Sequence, residues 1–238
     1  MVRLGYKKSM LACGLAGMIL LLGACGKSAE EKTYAHLEEA VSIESSFQEQ
    51  QDPLRKLEEK EESLYEKMLT LDSEETDKIQ KHSKQAVELA NEREDLLNKE
   101  KESIEAAYEE YKKAVEDMKD VEGAAKEVKA VQQAMDDRYG AYQSLHETYL
   151  TAIKKDVQLY KSLTKENLTL ETLKKKIDAV NDTYADVAKQ SEKFNRFTDQ
   201  YNEAKTALYE KAGFELKSSG TEKTDDKNKS TETEEKKE

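Results

Sequence analysis

The chain of 238 residues carries 39 Lys and Arg against 51 Asp and Glu, a net charge of −12, with 38 % charged and 37 % hydrophobic residues. One proline, nine glycines and no tryptophan leave too few turn residues for an all-β or α/β domain, whereas abundant Glu, Lys, Ala and Leu is the composition of long helices and coiled coils. Acids and bases are interleaved rather than segregated, so no basic stripe is available to displace counterions from a phosphate backbone, which argues against nucleic-acid binding.

The first segment, residues 1–24, reads as an export signal. Arg3, Lys7 and Lys8 form a positive start, Met10 to Leu22 is an almost purely apolar or small-residue run, and Leu22-Gly23-Ala24 leads into Cys25. The apolar run falls short of the roughly 20 residues a spanning helix needs. Leu-Gly-Ala-Cys resembles the lipobox of bacterial lipoproteins, in which the cysteine thiol receives a lipid and the chain is cut just before it. Cys25 is then the lipid attachment point and the first residue of the mature chain. An uncleaved signal anchor with an incidental cysteine is the alternative. Cys13 lies within the signal, so the mature chain would hold no free thiol, and disulfide, Cys–metal and Cys-nucleophile chemistry drop out together. Loss of Arg3, Lys7 and Lys8 with the signal takes the charge from −12 to −15.

After a short linker (25–33), apolar residues recur in alternating steps of three and four over four long runs, the mark of helices packed side by side. The first runs from Tyr34 to Leu71 and contains the only proline, Pro53, directly after Asp52; Asp as N-cap with Pro at the first helical position is a helix start, so this run is either two helices or one kinked one. Leu71 to Glu75 reads as a turn. The second run spans Ile79 to Met118 and weakens between Asp120 and Gly123. The third spans Val128 to Tyr160 and ends at the polar stretch 164–169. The fourth runs from Leu170 to Leu208 and stops at Gly213, a good residue for the position after a helix. Short breaks between long helices favour antiparallel neighbours. The expected fold is all-α: an elongated antiparallel bundle of three to four long helices over residues 34–213, rather than a long parallel dimeric coiled coil. Residues 214–238 are almost purely Ser, Thr, Lys, Asp and Glu and cannot repay their ordering entropy by burial, which marks a disordered tail.

Constellations that could carry chemistry are few. The histidines, His36, His82 and His146, fit neither His-Glu-x-x-His nor Glu-x-x-His and read as solvated or interfacial side chains. No phosphate loop or nucleophile elbow is visible. No catalytic, cofactor or metal residues are assigned, and no enzyme activity is expected. The unusual residues are charges on the packing seams: Glu61, Arg93, Glu100 and Arg138. They read as a structural polar layer that sets register at a cost in stability. A hairpin pivoting near residue 121 would bring Arg138 within a turn of Glu100, which predicts an ion pair between them. Twelve tyrosines against four phenylalanines raise a further question. Tyr139, Tyr142, Tyr149, Tyr160, Tyr184, Tyr201 and Tyr209 could expose a stripe that stacks on sugar faces, although tyrosine at helical spacing is more often a seam residue.

Four phrases behind the lipobox carry a wider resemblance: YAHLEEAVSIESSFQEQQDPLRKLEEKE (34–61), REDLLNKEKESIEAAYEEYKKA (93–114), MDDRYGAYQSLHETY (135–149) and FNRFTDQYNEAKTALYEKAG (194–213). In this order they resemble the YkyA-like cell-wall-binding lipoprotein family of Gram-positive bacilli. The resemblance implies a surface lipoprotein with a wall-binding role, on the outer face of the cell membrane, and defines no catalytic residues to carry over. A mature charge of −15 would be repelled by an anionic wall, so contact would run through uncharged glycan, cation bridges or a protein partner. The leading expectation is a non-enzymatic scaffold, spacer or wall contact held on the membrane through Cys25. A helical solute- or metal-binding lipoprotein is the alternative, and a wall hydrolase would need two carboxylates in a cleft.

Overall fold

A computed structural model describes residues 28–72 and 74–214; the signal, Cys25 and all of the polar tail but Phe214 lie outside the described residues. The described chain is five helices: α1 (Ala29–Ile43), α2 (Ser45–Leu69), α3 (Thr76–Met118), α4 (Ala125–Leu163) and α5 (Leu170–Lys211). Among the described residues none is long and apolar enough to cross a membrane.

Local chemistry sets the helix ends. Ser28 caps α1 in a reciprocal box: its hydroxyl accepts from the Glu31 N–H, and the Glu31 carboxylate accepts from the Ser28 N–H. Glu30 and Glu31 also place negative charge where the helix dipole favours it. Thr169 caps α5 by accepting from the Thr172 N–H. The α3–α4 turn uses Gly123 at φ +69°, and α5 stops at Gly213 at φ +82°. There the Phe214 N–H bonds the Tyr209 carbonyl and the Gly213 N–H the Glu210 carbonyl, while the Phe214 ring packs 6.0 Å from Tyr209.

The first run breaks at Glu44, not at Pro53. Phe47 N–H bonds the Glu44 carbonyl, and the Ile43 carbonyl instead accepts the Ser103 hydroxyl of α3 at 2.8 Å. A serine from a packed neighbour thus takes over one rung of the helical ladder, and the backbone bends without leaving the helical region. Pro53 sits inside α2, where it lacks the N–H that the Glu49 carbonyl would use. Asp52 is accordingly a mid-helix residue.

The bent α1–α2 rod, α3, α4 and α5 form an up-down antiparallel bundle. α3 packs against α1, α2 and α4, and α4 against α5. At 1.5 Å per residue the 43-residue α3 is about 64 Å long. Both ends of the described chain lie beside the α3–α4 turn, where Tyr34 packs 5.0 Å from Tyr209 and 4.9 Å from Phe214. The two hairpin turns, 70–75 and 164–169, lie at the opposite end, over a cluster formed by Met68, Ala86, Leu159 and Tyr160 with Leu163 and Leu173 against it.

The tyrosines do not form an exposed stripe. Tyr142, Tyr160, Tyr201 and Tyr209 are buried, and Tyr139, Tyr149 and Tyr184 are half-buried. The hydroxyls of Tyr149, Tyr160, Tyr184 and Tyr209 donate to Glu58, Glu61, Asp156 and Glu38, whereas those of Tyr142 and Tyr201 are buried without a hydrogen-bond partner.

Candidate functional site

The bundle interior holds two charged layers. In the first, Arg93 of α3 is 1 % exposed and reaches every rod. Its Nη1 donates to Glu61 of α2 at 2.9 Å and to Asp156 of α4 at 3.3 Å, and its Nη2 donates to the Tyr184 hydroxyl of α5 at 2.6 Å. Glu58 stands 3.5 Å away, and the Tyr149 and Tyr184 rings flank the guanidinium at 5.4 and 5.8 Å. Tyr160 donates to Glu61 at 2.8 Å, Tyr149 to Glu58 and Tyr184 to Asp156.

One arginine therefore faces three carboxylates, of which Glu61 and Asp156 are buried and Glu58 is partly exposed. Burial opposes charge on Arg93, but Tyr184, Glu61, Glu58 and Asp156 outweigh it and hold the group protonated. Burial, with Glu61 nearby, lifts Asp156 to about 7 despite Arg93. Burial likewise raises Glu58 against the pull of Arg93.

Glu100, two turns along α3, is 4 % exposed and accepts from the Gln51 amide. Burial, then the charge of Glu58, lifts it to about 8, so it carries a proton at neutral pH. The expected Glu100–Arg138 pair is not what forms. Arg138 forks onto Glu44, each arm at 2.7 Å, and its Nε donates to Thr198 at 3.0 Å. Phe194 and Tyr201 sandwich it at 5.1 and 5.9 Å. The α3–α4 register alone pointed to Glu100; the bend at Glu44 supplies a carboxylate from the first rod instead. Of the four seam charges, Glu61 and Arg93 share the first layer, Arg138 sits in the second, and Glu100 is buried apart from both arginines with Gln51.

Glu44, Glu58, Asp156 and Gln51 were not singled out from sequence. Asp156 stands three residues after the buried Ile153 and Glu58 three before the buried Glu61, so each is an acid at a seam step; that spacing was the available signal.

The histidines scatter. His36 pairs with Glu110 and stands 3.6 Å from Asp117, His82 is half-buried, and His146 is buried beside Tyr142 with its pKa lowered by burial and by Lys101. Among the described residues no group of three or more His, Cys, Asp or Glu is placed to hold a metal ion. The cavity beside Glu44 and Arg138 measures ≈ 10 Å³, room for one water.

Residues 28–211 match the family described as "Putative cell-wall binding lipoprotein", YkyA. The chain belongs to the YkyA family. It is 33 % identical over 209 residues to the uncharacterized lipoprotein YkyA of Bacillus subtilis (strain 168), covering 87 % of this chain and 93 % of that one. The fold is similar to a crystal structure of a conserved protein of unknown function from Staphylococcus aureus, with a TM-score of 0.67 at 20 % identity over 78 % of this chain and 98 % of that one. The family expectation drawn from the four phrases is borne out, as is the all-α bundle. The family description and the relative's name both call these proteins lipoproteins.

Proposed function

We propose that the protein is a non-enzymatic rod, held on the outer face of the membrane by lipid on Cys25, that spans the wall space as a scaffold or wall contact. One observation carries this reading. The first helix is capped at Ser28, three residues after Cys25, so a lipid there tethers one end of the bundle and leaves the two hairpin turns about 60 Å away. The packed interior supports it: the buried acids are engaged by Arg93, Arg138, Gln51 and tyrosine hydroxyls rather than turned toward a cleft.

The test has two readouts on the full chain expressed in a Gram-positive host. Labelled palmitate should enter the wild type and not Cys25→Ser. The purified lipid-free chain should pellet saturably with peptidoglycan sacculi, with and without their anionic polymers. Absence of label in the wild type removes the anchor. No pelleting under either condition removes direct wall contact and leaves the scaffold role.

A further inference from the structure

The far end of the bundle is built from two hairpins of opposite charge. The α2–α3 turn carries Asp72, Glu74, Glu75 and Asp77 against Lys78 alone, a net −3. The stretch 161–176 across the α4–α5 turn carries five lysines against Glu166 and Glu171, a net +3. The hairpins sit side by side, since Met68 of one and Leu163 and Leu173 of the other share a cluster. Among the described residues, the large hydrophobics that stand exposed are two leucines, one on each hairpin: Leu69 at the end of α2, 58 % exposed, and Leu170 at the start of α5, 86 % exposed. The same sequence buries its leucines throughout the seams, so the exposed pair is confined to this tip.

We infer that the tip is a homotypic contact: the acidic hairpin of one molecule meets the basic hairpin of a second copy around Leu69 and Leu170. A patch with adjacent lobes of opposite sign is self-complementary under a two-fold rotation, which sets each lobe over the other kind. An anionic polymer would account for the lysines but not for the acids or the leucines. The contact is small, well below the roughly 800 Å² per partner of a standard interface, so it is weak in free solution. Anchoring at the opposite end, which rests on the proposed lipid on Cys25, would hold all tips at one height and raise their effective concentration.

The test uses the full acylated chain in vesicles, labelled with donor or acceptor dye on Asn167→Cys, an exposed neutral position in the α4–α5 turn. Flotation with the vesicles reads anchoring separately from association. Energy transfer should exceed the crowding background and fall as salt is raised. Leu170→Glu, at a position too exposed to disturb the core, should return it to background. Lys165→Glu with Lys174→Glu makes both lobes acidic, and Glu74→Lys with Asp77→Lys makes both basic. Each variant alone should lose transfer, and mixing the two should restore it. Background transfer in the wild type, or transfer that none of these changes moves, overturns the inference.

Discussion

Replacing Glu100 by Gln should make the protein more stable at alkaline pH. The Glu100 carboxyl titrates near 4.5 when solvated and about 8 in the fold, where burial and Glu58 oppose its charge. Between those values the native state holds a proton that the unfolded chain has released, so stability falls with rising pH. The contribution is complete below about pH 4.5 and lost as pH climbs through about 8. Each unit in that window costs about 1.4 kcal/mol, so the full window is worth about 5 kcal/mol, a large share of a typical domain's stability. The glutamine amide keeps an oxygen for Gln51 and has no charge to bury. Urea unfolding followed by circular dichroism should therefore give equal midpoints for wild type and Glu100→Gln near pH 5. By about pH 9 the variant should lead by several kcal/mol. Asp156, lifted to about 7, adds a slope of the same sign that Glu100→Gln retains. A wild-type stability that is flat or rising from about pH 5 to 9, or a variant weakened equally at both ends, would refute the reasoning.

Arg93→Ala leaves Glu61 and Asp156 buried without their cation and should cost about 3–5 kcal/mol in the same assay; Arg93→Met with Glu61→Leu and Asp156→Leu should recover most of it. Pro53→Ala gives the Glu49 carbonyl an N–H to bond on an exposed helix face and should stabilise by about 1–3 kcal/mol, read as a rise in Tm. Gly213→Ala places a side chain at φ +82° and should cost about 1 kcal/mol by thermal unfolding, although a Cβ there meets nothing within 4 Å.

Much of this was legible because helix-forming local rules and long-range packing agree along the seams. Ala86, Ala90, Arg93, Leu97, Glu100, Ile104, Ala107 and Tyr111 fall at three- and four-residue steps in the sequence and on one buried stripe of α3. The turns were legible for the same reason: 164–169 lacks seam residues, and Gly213 supplies a positive φ that other residues resist. Pro53 left open whether the first run was two helices or one kinked one; the structure keeps it inside α2, where Leu54 and Leu57 are buried, and puts the break at Glu44 instead.

Periodicity and composition determined by themselves that this is a long-helix bundle with charges on its seams, because each is a property of residues near one another in the chain. Which acid each arginine grips was decided only by tertiary structure. Arg138 is 94 residues from Glu44 and Arg93 is 63 from Asp156, and no local spacing links them. The same holds for the raised pKa of Glu100, which comes from its burial among the rods and from the charge of Glu58 on another helix. Pairing and burial are set when the helices close on one another, and the low dielectric they create is what gives each buried arginine its specific acids and leaves Glu100 without one.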